Sequence, residues 1–177
     1  VDGVVGIAKR PETSLKYWVP RKFGFVVVME AIEKPGNVGA VFRSCVAAGA
    51  DAFIAADPIT DVFHPNAIRS SLGAVFSVPV FCGNSKDIVE TLGAEEFQIA
   101  AAVVNAKSDF REITFSKRSA IVLGNESAGL SAIWNSPPSI PVKIPMSESI
   151  DSLNIAMSAT ILAYEVQRQR LHNSDCE

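Results

Sequence analysis

Apolar residues in this chain come in short runs separated by polar, glycine-bearing and proline-bearing breaks, and the runs alternate between two periods. Gly24 to Ala31 (GFVVVMEA) is nearly unbroken apolar sequence, the pattern of a parallel strand buried on both faces. A loop of Glu33, Lys34, Pro35, Gly36 and Asn37 follows. Val38, Val41, Phe42, Cys45, Val46 and Gly49 then recur at helical spacing. Ala52 to Ala56 predicts a short strand, and His64 to Leu72 a short helix closed by Gly73. Val78 to Phe81 predicts a strand, Ser85 to Leu92 a helix ended by Gly93, Phe97 to Val104 a strand, and Ala120 to Gly124 another. Such alternation gives an α/β fold with a mostly parallel sheet and helices on both faces, whose sites lie at the carboxyl ends of strands.

The last third holds the longest element. Ile140 to Ile144 predicts a buried strand stopped by Pro145, while Ser147 to Asp151 has no large apolar residue except Ile150 and cannot build core. That loop is a site candidate. A long helix begins near Leu153, with Ser152 as its predicted N-cap. Leu153, Ala156, Met157, Thr160, Ile161 and Tyr164 share one face; Ile155, Ala159, Leu162, Ala163 and Val166 add apolar surface elsewhere. A helix apolar on more than one side needs two partners, its own core and a second subunit.

Composition narrows the class. With 48% hydrophobic and 20% charged residues over 177 positions, the chain reads as globular rather than disordered. Its apolar runs are too short to span a bilayer and no signal peptide precedes them, so a cytoplasmic location and no membrane partner are expected. Cys45, Cys82 and Cys176 are far apart and form no Cys-x-x-Cys pair, and His64 and His172 stand alone, so neither a disulfide framework nor a metal site is expected. A net charge of −3 argues against a general nucleic-acid binder. The sign is unevenly spread, however: residues 1 to 22 carry +3, from Lys9, Arg10, Lys16, Arg21 and Lys22 against Asp2 and Glu12, and Arg168 and Arg170 form a second basic group. The expected division is a basic linker segment over 1–22, one domain over 23–171 and a tail over 172–177.

Three polar loops follow apolar strands and are candidates for one shared site. In the first, Pro35 to Ala40, two glycines let the backbone approach something closely, Asn37 can cap the helix or bind a ligand, and Arg43 presents a planar fork suited to phosphate. The second, Leu123 to Leu130, sets Glu126 directly after a buried strand, where it can accept hydrogen bonds from an amide or guanidinium. The third runs from Ile144 to Asn154. Taken singly, each reads equally well as a capped turn. No Gly-x-Gly-x-x-Gly fingerprint is present, which counts against a dinucleotide-binding oxidoreductase.

Taken in order, Asn37-x-Gly39-Ala40-x-x-Arg43, then Leu123-Gly124-Asn125-Glu126-x-x-Gly129-Leu130, then Ile144-Pro145-Met146 leading to Ser152-Leu153-Asn154 with Tyr164-Glu165 beyond, resemble the three motifs of the SpoU (TrmH-like) family. These are RNA ribose 2′-O-methyltransferases of the SPOUT class. The resemblance covers residues 24 to 170, and His64-Pro65 to Arg69-Ser70-Ser71-Leu72-Gly73 resembles another segment common in the family. One departure is Glu148, which stands where many members carry glycine.

The resemblance implies a C-terminal deep trefoil knot, S-adenosylmethionine held in it by Leu123, Gly124, Ile144, Met146 and Leu153, and a homodimer formed through the terminal helices. It implies a catalytic set of Arg43, Asn37, Glu126, Ser152 and Asn154. The family's favoured account gives proton abstraction to Arg43; since a free guanidinium essentially never deprotonates, holding the target phosphate and the developing alkoxide is the safer assignment, with the other four orienting it and the ribose. On this reading Arg43 works close to the partner's site. Lys9, Arg10, Arg21, Lys22, Arg69, Arg168 and Arg170 are the expected RNA contacts. The opening residues Val1 to Glu12 resemble the junction after a separate RNA-binding domain, which points to ribosomal rather than transfer RNA. A non-catalytic RNA-binding relative is the other reading, and retention of Asn37, Arg43, Glu126 and Asn154 counts against it.

Overall fold

A computed structural model describes residues 3, 6–19 and 24–174; Arg21, Lys22 and Cys176 lie outside the described residues. Its strands are β1 (Phe25–Glu30), β2 (Ala52–Ala56), β3 (Val80–Gly83), β4 (Gln98–Ala102), β5 (Ser108–Asp109), β6 (Ser119–Leu123) and β7 (Ser139–Lys143). Its α-helices are α1 (Pro35–Ala47), α2 (Pro65–Ser71), α3 (Ser85–Ala94) and α4 (Ile155–Ser174). The strands form one sheet in the order β3-β2-β1-β6-β4-β7-β5, with every pairing parallel. This is not the 3-2-1-4-5-6 order of the dinucleotide-binding fold.

The unbroken apolar strands have the cause that their sequence indicates: β1, β2 and β6 are buried along their whole length. Successive side chains point to opposite faces. Phe25, Val27 and Met29 therefore join one core, under α1 and α4, while Val26 and Val28 join the other, with Ile88, Val89 and Leu92 of α3 and the buried Trp134. Cys45 lies in the first core, and burial pushes its thiol up to about 12, so it behaves as a small hydrophobe.

Several expectations shift. Strand β7 is only partly buried, with Ile140 36% exposed. Strand β3 starts at Val80 rather than Val78, and β4 stops at Ala102. Helix α3 continues through Gly93 to Ala94; the left-handed residue that turns the chain afterwards is Glu96 (φ 58°). Helix α1 has Lys34 as its N-cap, so Asn37 lies inside the first turn and its side chain is free to work elsewhere. Gly39 is a close approach of a different kind from a ligand contact: a Cβ there would meet α2, with Ser71 N at 2.7 Å and atoms of Ser70 and Ala67 nearer still.

Helix α4 departs most from its predicted pattern. It begins at Ile155, after Leu153, and the Asn154 side chain rather than Ser152 caps it, accepting from Ala156 N at 2.9 Å. The face turned to the core is Ile155, Ala156, Ala159, Leu162, Ala163 and Val166; Met157, Ile161 and Tyr164 are 56%, 36% and 47% exposed. The helix runs on through Ser174, past the expected start of a tail. At the other end of the chain, part of the expected linker packs on the domain. Cys82 N donates to Thr13 O (2.7 Å), and Trp18 lies against Phe81 and Phe97.

Candidate active site

A cavity of about 370 Å³ opens at the carboxyl ends of β6, β4 and β7. Residues 123–129 form one wall, Ala102, Val103 and Val104 a second, and Val142, Ile144, Met146, Ser152 and Leu153 a third, with Ile155 and Ser158 of α4 behind. All five residues expected to hold a cofactor line it. Ala102 to Val104 were not expected, because β4 carries no motif; strand order alone inserts it between β6 and β7. Glu148 is exposed and is not among the lining residues, so its charge faces solvent.

The loop after β6 is held from within. Asn125 is buried; its amide donates to Ala31 O (2.9 Å) and Glu33 Oε1 (3.0 Å), and its oxygen accepts from Ser127 N, Ser127 Oγ and Ala128 N. Asn125 and Gly129 also exchange backbone hydrogen bonds, closing the loop through Gly129 at φ 70°. Gly124 sits so tightly in this turn that a Cβ would lie 2.5 Å from Gly129 O and from Leu130 N.

At the rim, the Asn37 amide donates to Glu126 Oε1, and Asn154 Nδ2 donates to Asn37 Oδ1 at 3.4 Å. The three expected orienting residues Asn37, Glu126 and Asn154 thus meet, although they come from three distant segments of the chain. Glu126, lining the cavity, connects this chain of amides to the interior. The apolar slot of Leu123, Val142, Ile144 and Leu153, with polar groups at its edge, has the character of a small-molecule site, and its size is within the usual range of about 300–1,000 Å³.

The model of the SpoU rRNA Methylase family matches residues 24–164. The chain belongs to this family. It is 34% identical over 174 residues to a 23S rRNA (uridine(2479)-2′-O)-methyltransferase of Streptomyces viridochromogenes, covering 95% of this chain and 61% of the relative. It is 32% identical over 142 residues to the 23S rRNA (guanosine(2553)-2′-O)-methyltransferase RlmP of Bacillus subtilis (strain 168), covering 80% of this chain and 57% of that one. The structure is similar, at TM-score 0.84 and 32% identity over 92% of this chain and 66% of the other, to the SpoU methyltransferase AviRb from Streptomyces viridochromogenes in complex with AdoMet. This SpoU chain therefore spans about three fifths of the length of the two curated relatives, 61% and 57%.

The remaining catalytic expectation, Arg43, is not at this SpoU chain's own cavity. Six residues beyond Asn37 on α1, it lies about 9 Å further along the helix and about 120° around it. There it is exposed in a shallow cleft of about 400 Å³ with Ala40, Ser44, Ala47, Ser70, Thr160 and Tyr164. The exposed apolar face of α4 ends at the same cleft through Tyr164.

Glu30 is a residue that the sequence reading missed. It ends β1, is 4% exposed, and accepts from Ser85 Oγ (2.6 Å), Ser131 N (2.7 Å), Ser131 Oγ (2.6 Å) and Trp134 Nε1 (2.8 Å). It ties the segment that leaves the cavity loop to the start of α3. A charged residue closing an otherwise apolar strand was the available signal. Glu30→Ala strands four donors, so stability is expected to fall by about 3 kcal/mol or more, read by chemical denaturation. Loss below 1 kcal/mol would show the network to be dispensable.

The expected RNA contacts are dispersed. Lys9, Arg10 and Arg69 are exposed on the flank formed by the N-terminal segment and α2. Arg168 pairs with Glu165 at 2.7 Å, and Arg170 lies 3.7 Å from Asp51, which precedes β2 at the opposite end of the sheet from the cavity. The pair with Arg168 holds the Glu165 carboxyl below its usual range. Among the described residues no cluster of His, Cys, Asp and Glu is placed to hold a metal ion, and no helix is long and apolar enough to cross a membrane.

Proposed function

We propose that this chain is the catalytic portion of an S-adenosylmethionine-dependent RNA ribose 2′-O-methyltransferase that acts on ribosomal RNA as a homodimer. The observation that carries the proposal is the meeting of Asn37, Glu126 and Asn154 at the rim of a cavity walled by Leu123, Gly124, Ile144, Met146 and Leu153. Ribosomal RNA is favoured over transfer RNA by the two relatives named for 23S rRNA. A cytoplasmic location and a knotted C-terminal segment belong to the same proposal. The knot is supported by the packing of the 144–154 loop against residues 123–129 in one cavity.

When bound, S-adenosylmethionine supplies an electrophilic sulfonium methyl. The protein's task is to orient the 2′-hydroxyl, exclude water and hold the charge that appears as its proton leaves. Glu126 fixes the Asn37 amide, and Asn37 in turn fixes Asn154, so both amides face the rim with defined polarity. Ser152 lines the same opening. Arg43 would reach the site from a second copy, through a two-fold interface that covers Met157, Ile161 and Tyr164.

Calorimetry tests the cofactor: S-adenosylmethionine should bind in the micromolar range and NAD should not bind measurably. Binding of NAD alone would overturn the proposal. Labelled methyl transfer to ribosomal RNA separates an enzyme from a non-catalytic relative. For the interface, Ile161→Asp should convert a dimer into a monomer by sedimentation without unfolding it, since Ile161 is 36% exposed. A parent chain that sediments as a monomer at micromolar concentration would remove the shared-site part of the reading.

A further inference from the structure

The corner between α2 and the 3-10 turn Ala74–Phe76 spends conformational energy to present apolar groups to water. Leu72 adopts a left-handed conformation (φ 50°) that a branched side chain rarely takes, and it is 71% exposed. Gly73 follows at φ 86°, and Phe76 is then 58% exposed. Phe76 stacks almost parallel on Phe63, with an interplanar angle of 8° and centroids 5.9 Å apart. The Arg10 guanidinium stands 5.5 Å from the Phe63 centroid and is fixed in place by two hydrogen bonds to Asp61, at 3.0 and 3.1 Å. Phe63 packs partly on the core, but Phe76 does not belong to it. Core packing therefore does not explain why Phe76 is there.

The position of this layered group bears on its use. It rises from the carboxyl end of β2, which pairs with β1, whose following loop leads to Asn37. Neighbouring parallel strands are about 5 Å apart, so the loops that leave β2 and β1 start side by side. Thr60 N also donates to Ile32 O at 3.2 Å, tying the two loops together. Among the exposed charged residues in the N-terminal segment, the loop after β2 and α2, Lys9 and Arg69 are cationic, Glu12 and Asp57 are anionic, and Arg10 and Asp61 pair with each other.

We infer that Phe76, supported by Phe63 and Arg10, is a stacking platform for an unpaired base next to the nucleotide that is methylated. This rests on the RNA methyltransferase reading above and adds a subsite to it. Exposed aromatic rings beside fixed guanidinium groups are the common means by which proteins hold single-stranded nucleic acid, because every base has a π-face. A guanidinium held against an aromatic pair suits a base and its phosphate better than a second copy of this chain, whose natural contact is the apolar face of Met157, Ile161 and Tyr164 on α4. The platform selects for an unpaired base without reading its identity, so a fully paired RNA does not engage it.

The test uses a short single-stranded RNA carrying one 2-aminopurine, the fully paired duplex of the same sequence, and ribosomal RNA as methyl acceptor. Phe76→Ala should weaken binding of the single strand by on the order of tenfold or more and abolish the stacking-induced quenching of 2-aminopurine, while leaving duplex binding unchanged. The KM for ribosomal RNA should rise, with turnover at saturating RNA and cofactor affinity unchanged. Phe76→Trp should restore the single strand and Phe76→Leu should not, which separates stacking from simple hydrophobic contact. Equal single-strand binding by the parent and Phe76→Ala overturns the platform alone. Loss of the dimer in Phe76→Ala by sedimentation, with RNA binding following subunit concentration, assigns the surface to a second copy and also overturns it. Absence of any RNA binding by the parent overturns both the platform and the functional reading.

Discussion

Arg43→Ala is expected to reduce single-turnover methyl transfer by on the order of 100-fold or more while leaving S-adenosylmethionine affinity nearly unchanged, as for other single donors to a transition-state charge. The two readouts separate because Arg43 does not line the cofactor cavity of its own chain; it stands in the cleft with Ser70, Thr160 and Tyr164. If it were an ordinary exposed arginine, its loss would cost about half a kcal/mol or less in stability and nothing in turnover. Arg43→Lys should rescue poorly, since an ammonium keeps the charge but not the planar fork. Mixing subunits gives a second reading: Arg43→Ala combined with a cavity-dead chain should recover activity in the heterodimer if one copy's arginine serves the other's cavity. Near-normal turnover in Arg43→Ala would remove this residue from the mechanism.

Gly124→Val is expected to abolish measurable cofactor binding, because the wall of the cavity has to move to admit the side chain. A side chain at 124 would meet the backbone of Gly129 and Leu130, not a flexible neighbour, so the loop from 124 to 130 must open to admit it. That loop carries Glu126 and a wall of the cavity. The fold should persist, since β6 ends at Leu123 and neither core includes Gly124. Calorimetry beside thermal unfolding checks it. Undiminished binding in a folded Gly124→Val chain would show that this loop is not the cofactor wall.

Much of the candidate site was legible because its residues sit in short local patterns. Leu123-Gly124-Asn125-Glu126 combines a strand end, a glycine and an acid, and the structure uses all of them within one turn. What the pattern could not show was which partner each group takes. Asn37 was readable as a helix cap, yet Lys34 holds that position and Asn37 reaches Glu126, 89 residues away in sequence. Asn125 had no assigned role until its five side-chain hydrogen bonds showed it holding the loop closed. Leu162 and Tyr164 looked equally able to form an interface; only packing shows Leu162 in the core and Tyr164 in solvent.

The sequence by itself determined the α/β class, the central strands β1, β2 and β6, the helix α1 and the polar segments after β1, β6 and β7 that meet at the cavity and its rim. These follow from local rules: runs of apolar residues make doubly buried strands, and polar breaks after them fall at strand ends. Tertiary structure alone decided the strand order and what three sets of residues would meet. It places β4 between β6 and β7, so that Ala102 to Val104 wall the cavity. It buries the charged end of β1, Glu30, among Ser85, Ser131 and Trp134. Helical spacing sets Arg43 apart from Asn37, but only packing brings it to Ser70, Thr160 and Tyr164. In each case the deciding contacts join segments far apart in the chain, and helical or strand periodicity reports only which face is apolar, not what that face will meet.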